Sequence, residues 1–150
     1  MEYLDIVDEQ GQPTGEIISR TLAHTEGIRH RTAHIWIVRR ENEHFQVLMQ
    51  KRAMSKDSFP GKYDTSSAGH IQAGDEPLAS GLRELAEELG IHAKPEDLAF
   101  AGCIHGNFAE EFHGKIFRDN EIAFVYVYQQ PVNIETLVLQ KRGGGIGAVV

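Results

Sequence analysis

The chain has one cysteine, Cys103, one tryptophan and five prolines in 150 residues, and it has no long apolar run. A single thiol excludes an intramolecular disulfide, so the fold has to be held by packing alone, which suits a reducing cytoplasmic setting. No segment approaches the roughly 20 apolar residues that span a bilayer. The acidic opening MEYLDIVDEQGQ lacks the basic and apolar regions of a signal peptide. Basic residues are in the minority, 15 Lys and Arg against 22 Asp and Glu, for a formal charge of −7. That balance argues against bulk attraction to a nucleic-acid polymer or an anionic membrane, while leaving room for a local basic pocket that binds phosphate. Repeats and low-complexity linkers are also absent, and the length suits a single domain over 1–150 with a real core.

What is present is a patterned α+β chain. The sequence predicts strands over Glu2–Val7 and Ile17–Ala23 around a turn at Asp8–Pro13, so that residues 1–30 form an N-terminal strand-and-turn extension. Thr32–Arg40 is rich in β-branched and aromatic residues, and Phe45–Lys51 is its expected hairpin partner. Met54–Tyr63 is expected to be a loop and Asp64–Ile71 a strand. Ala99–Gly106 and Glu121–Gln129 are further predicted strands, separated by a polar turn region over Gly106–Asp119. The chain ends with four glycines in the five positions 143–147, a composition that disfavours helix and predicts a flexible tail over 141–150.

The clearest helix lies between Pro77 and Gly90. Pro77 suits a first turn, and Asp75 and Glu76 put negative charge at the positive end of the helix dipole. Leu78, Leu82, Leu85 and Leu89 form one apolar stripe, and Gly90 falls where a left-handed C-terminal residue is expected. Away from the stripe, Glu84, Glu87 and Glu88 stand at helical spacings that let all three point to one locus, with Arg83 four residues before Glu87. Three carboxylates that close repel one another unless they are solvated or held by divalent cations.

Arg83-Glu84-Leu85-Ala86-Glu87-Glu88-Leu89-Gly90-Ile91, with Gly69 fourteen positions before the arginine, resembles the Nudix box. One position departs from it: Asp75 stands where the box has glutamate. The resemblance implies an α/β/α sandwich with a mixed sheet, here with the closing C-terminal helix missing or altered. It implies a metal-dependent hydrolase of small-molecule diphosphates of the form X-O-P-O-P-Y, using Mg²⁺ or Mn²⁺, and by analogy a homodimer. In that pattern Glu84, Glu87 and Glu88 ligate metal or, for one of them, take a proton from water. Arg83 orients the carboxylates, and the carbonyl of Ala68 is a further ligand beside the substrate-contacting Gly69.

Segments flanking the box resemble the isopentenyl-diphosphate isomerases of the same superfamily and the hydrolases nearest to them. These are Arg20–His24, Ile28–Arg31, Gln50–Lys56, Phe59–Gly61, Ala68–His70 and Asp119–Glu121. In the isomerases the positions matching His24, His30, His70, Asp119 and Glu121 bind a metal. The resemblance carries a metal role to His70 and a metal or base role to Glu121. It leaves His24 and His30 open, because they stand six apart where the isomerases have seven. Arg52 and Lys56 match a diphosphate-binding pair, and Arg20 is a further cation for the phosphates. The isomerase cysteine is replaced by Ala68, whose methyl group cannot move a proton, so hydrolysis is expected ahead of isomerisation. A nucleotide-binding module without turnover is the remaining alternative.

Overall fold

A computed structural model describes residues 1–52, 54, 59, 61–139 and, for the backbone, 146–149. Its spine is β3 (His30–Glu41), a twelve-residue strand that uses both edges. One edge pairs in parallel with β8 (Lys115–Tyr128), from His30↔Glu121 to Ile37↔Tyr128. The other edge is shared. Its first half pairs with β6 (Ser67–His70), and its second half with β4 (His44–Lys51). Where β4 and β6 diverge, the buried Ser66 fills the gap. Its hydroxyl accepts from the Ile37 N–H at 2.8 Å and donates to the Leu48 carbonyl. The two-residue β5 (Tyr63–Asp64) and β9 (Ile146–Val149) pair with β4, and β7 (Leu98–Phe112) forms the far edge on β8. A separate ribbon of β1 (Tyr3–Val7) and β2 (Pro13–Ser19) packs alongside.

Two α-helices cover the mixed sheet and make an α+β sandwich. The helix α2 (Pro77–Leu89) runs where the leucine spacing puts it, and Gly90 ends it in the left-handed conformation at φ 69°. Leu85 and Leu89 are fully buried against Ile35, Ile37, Leu98 and Tyr126, with Leu78 and Leu82 at the margin of the same cluster. The other helix, α1 (Arg20–Glu26), meets the opposite face, where it packs on β8. No helix among the described residues is long and apolar enough to cross a membrane.

Four expectations are corrected. The strand expected over Ile17–Ala23 ends at Ser19, because the Ser19 hydroxyl caps α1 by accepting the Leu22 N–H and Gly27 closes it at φ 71°. The polar turn expected over Gly106–Asp119 is a long hairpin, tightened to His113-Gly114, both with positive φ. The strand expected over Asp64–Ile71 is two short pieces, broken where Thr65 and Ser66 turn between β5 and β6. Finally, Ile146–Val149, placed by the sequence in a free tail, adds a strand to β4. No α-helix follows α2 among the described residues; the segment after β8 has only a 3-10 turn at Ile134–Thr136.

Replacing Ser66 by alanine strands the Ile37 N–H in the core. An unsatisfied buried donor costs on the order of 1–3 kcal/mol. The S66A protein should therefore be less stable by that amount in urea unfolding, with a lower midpoint and an unchanged denaturant slope.

Candidate functional site

The acidic face of α2 lies over β6. Glu88 is tied to that strand, accepting the Ser67 hydroxyl at 2.7 Å and the Ala68 N–H at 2.9 Å. In a strand the N–H and C=O of one residue share an edge. The Ala68 carbonyl therefore points away from β3, toward the same region. One turn before Glu88, Glu84 sits directly over Gly69, so close that a Cβ there would collide with its carboxylate. Glu87 is more than half exposed and lies 3.9 Å from Arg83. Arg83 reaches Asp75 at 2.8 Å, Glu84 at 3.4 Å and the His70 carbonyl at 3.5 Å. Asp75, shorter than the glutamate of the box pattern, thus has its arginine. The loop carrying Asp75 is fixed from below: buried Arg31 donates to the Asp75 carbonyl and pairs with Asp5 at 3.1 Å, and Asp5 also accepts the Gly74 N–H.

Arg83 does not neutralise this face. Burial, with Glu88 and Glu87 close by, outweighs the pull of Arg83 and pushes Glu84 up to about 7. A set of oxygen donors around a partly buried carboxylate that resists ionisation is a fitting place for a hard divalent cation such as Mg²⁺ or Mn²⁺.

A second constellation forms on the other side of β6. Side chains alternate along a strand, so Gly69 faces α2 while His70 faces away from it. There it meets His24 from α1 and His30 from the start of β3. The three ring centroids are 5.1, 5.2 and 5.3 Å apart, and one nitrogen from each lies within 4.8 Å of the others. His30 holds its Nδ1 2.9 Å from the Ile28 carbonyl, which fixes the proton on Nδ1 and leaves the Nε2 lone pair facing the cluster. Asp119 Oδ1 stands 3.6 Å from His24 Nε2 and 3.5 Å from His30 Nε2, and Asp119, Glu121 and His30 form an overlapping donor group. Burial lowers His30 and lowers His70 well below the ordinary imidazole range, so both rings are neutral at pH 7, the form that can ligate a metal. Burial, reinforced by Asp119, pushes Glu121 up to about 8. His24 Nε2, His30 Nε2 and Asp119 Oδ1 are all buried without a hydrogen-bond partner. Orphaned donors and acceptors of this kind, imidazole with carboxylate, fit a transition-type divalent ion.

The structure thus brings His24, His30, His70, Asp119 and Glu121 together, including the two histidines whose spacing left them open. Glu121 stands with the histidines rather than with the acids of α2. Arg52 is paired with Asp64 at 3.0 Å, and Arg20 is close enough to act electrostatically on His30 and His70. Lys56 lies outside the described residues. Sequence reasoning missed His34, whose Nε2 is 3.7 Å from Glu121, and Glu2, which is 3.5 Å from His70. His34 was legible in principle, being four residues from His30 on the same face of one strand.

The raised carboxyl of Glu84 has a defined consequence for stability. Between the ordinary carboxylate range and about 7 the native state holds a proton that the unfolded chain has lost, so stability falls as pH rises through that window. Above it both states are ionised and the loss is complete. In metal-free protein, Glu84→Gln should raise Tm at pH 8, by an amount equivalent to about 3 kcal/mol, and the gain should vanish below pH 4.5. Thermal melts of both proteins in chelator across that range check this.

Comparison with protein-family models matches residues 28–144 to the NUDIX domain. An uncharacterised Nudix hydrolase of Clostridium acetobutylicum is 43% identical over 140 residues, covering 93% of this chain and 65% of that protein. An isopentenyl-diphosphate Delta-isomerase of Streptomyces avermitilis is 30% identical over 129 residues, covering 86% of this chain and 63% of that one. The chain thus spans less than two thirds of the length of these curated relatives. Among solved structures, the fold is similar to that of a Deinococcus radiodurans protein, with a TM-score of 0.67 at 21% identity over 97% of this chain and 82% of that chain. The family match covers most of the chain and includes the strand β6, the acidic face of α2 and, of the clustered histidines, His30 and His70, and on that ground the chain belongs to the Nudix family.

Proposed function

We propose that the protein is a divalent-metal-dependent hydrolase that cleaves the diphosphate linkage of a small nucleoside-diphosphate-type compound, X-O-P-O-P-Y. The observation that carries the reading is the seating of Glu84 over Gly69, beside Glu88 and the Ala68 carbonyl edge. A diphosphate repels nucleophiles by its charge, and a Mg²⁺ or Mn²⁺ ion at these oxygens would neutralise that charge and acidify water. Glu84, Glu88 and the Ala68 carbonyl would hold the ion, and Glu87 would complete the set from the solvent side. By the family pattern one of the three glutamates, Glu84, Glu87 or Glu88, would take the proton of the attacking water. Arg83 keeps the carboxylates in place. Arg20 and Arg52 are the cations for the phosphate that does not react, Arg52 by exchanging Asp64 for a phosphate oxygen.

The His24–His30–His70 cluster with Asp119 and Glu121 is a second ion site, selective for softer divalent ions than the helix carboxylates are. The same cluster is the feature shared with the isomerases, but the isomerase reaction lacks its thiol at Ala68, and Cys103 is exposed on β7, paired with Phe124 on the face opposite Glu121.

The test is phosphate release, coupled to a phosphatase, from a panel of nucleoside diphosphates, nucleotide sugars, dinucleotide polyphosphates and prenyl diphosphates, in Mg²⁺, Mn²⁺ or chelator. Metal-dependent turnover should fall at least about 100-fold in Glu84→Gln and in Glu88→Gln. Gly69→Ala, which displaces Glu84, should lose turnover comparably while its melt shows a folded protein. Allylic isomer formation from a prenyl diphosphate without hydrolysis, or nucleotide binding without turnover, would overturn the reading.

A further inference from the structure

The histidine cluster has a contributor that its metal-ligand pattern does not include. Glu2 precedes β1 and is pinned from two sides. Its carbonyl accepts the Arg20 N–H at 3.0 Å at the start of α1, and the next residue, Tyr3, accepts the Ala73 N–H at 2.8 Å from the loop beyond β6. Those two attachments lead to the elements that carry His24 and His70. Leu4, fully buried, bridges Gln72 and anchors the same segment. The Glu2 side chain turns inward, placing Oε1 3.5 Å from His70 Nδ1. That oxygen is buried and has no hydrogen-bond partner, like His24 Nε2, His30 Nε2 and Asp119 Oδ1.

Of the three rings, His30 has its far nitrogen fixed by a backbone carbonyl. For His70 the atom in the equivalent place is Glu2 Oε1. A carboxylate facing the non-ligating nitrogen of a metal-bound imidazole fixes the tautomer, holds the ring angle and raises the basicity of the other nitrogen. We propose that Glu2 is the positioning carboxylate of His70, taking its Nδ1–H so that Nε2 is presented to a divalent ion shared with His24 and His30. The N-terminal segment is in this way part of the metal centre rather than an appendage to the domain. This rests on the histidine cluster being an ion site, as proposed above.

The test uses Co²⁺ alone as the probe, because its visible spectrum reports imidazole coordination. Metal-free protein is titrated and followed by absorbance and calorimetry, for wild type, Glu2→Ala, Glu2→Gln, Glu2→Asp and His30→Asn. The Glu2→Ala and Glu2→Gln variants should bind at the histidine site about 10–100-fold more weakly with an altered spectrum, and Glu2→Asp should recover part of the affinity. Metal-free melts of the Glu2 variants should match wild type, while the Tm gain on adding Co²⁺ shrinks. If Glu2→Ala binds like wild type while His30→Asn loses the site, the role of Glu2 is wrong and the ion site stands. If wild type and His30→Asn give the same titration, the ion site itself is wrong and Glu2 falls with it. A Glu2 variant whose metal-free melt drops as much as its affinity would assign Glu2 to packing instead.

Discussion

The site depends on how closely α2 can approach β6. Only a strand residue without a side chain lets the Glu84 carboxylate come down onto the backbone, and Gly69 is that residue. The approach is held from both ends. The leucine stripe drives one face of α2 into Ile35 and Ile37, and Glu88 on the next turn binds Ser67 and Ala68. Burial of apolar surface supplies the force, and the two hydrogen bonds to Glu88 set the height and register of the helix over the strand. The cost is electrostatic: carboxylates are drawn together in a partly desolvated place with one arginine among them.

β6 is only four residues long, yet it divides two chemistries. On the α2 side the donors are oxygens, from carboxylates and a carbonyl. On the other side they are imidazoles backed by Asp119 and Glu121. Alternation along one short strand is enough to present Gly69 to the first group and His70 to the second. The loop that follows β6 is locked by the buried Asp5–Arg31 pair, which also fixes Asp75 and through it Arg83. The ribbon of β1 and β2 therefore supports both groups.

Much of this was legible in the sequence because it is local. The helix α2 announces itself through Pro77, four leucines and Gly90, and its acids stand at fixed spacings on one face. The histidine cluster was legible only through resemblance. Its members come from α1, β3, β6 and β8, and a lone histidine carries no local sign of its partners. The helix α1 was read as strand because seven residues are too few to show a period, although Ser19 and Gly27 mark its ends. The hairpin over Gly106–Asp119 was read as turn because an edge ribbon keeps polar side chains along much of its length, which hides the alternation of Phe108, Phe112 and Phe117. Glu2 offered no signal, since an acidic residue near a chain start is ordinarily solvated.

The strand β3 presents its residues in alternation to the histidine cluster and to the leucine core. His30 and His34 look one way, and Ile35 and Ile37 the other, with β8 in register along eight consecutive pairs. A gain or loss of one residue inside this stretch would exchange the two faces, sending imidazoles into the leucine core and isoleucines into the histidine cluster. A change of two would preserve the faces and shift only the partners. The length of this segment is therefore quantised: variation across its relatives should come in even steps within the strand, with odd ones confined to the hairpin that joins it to β4.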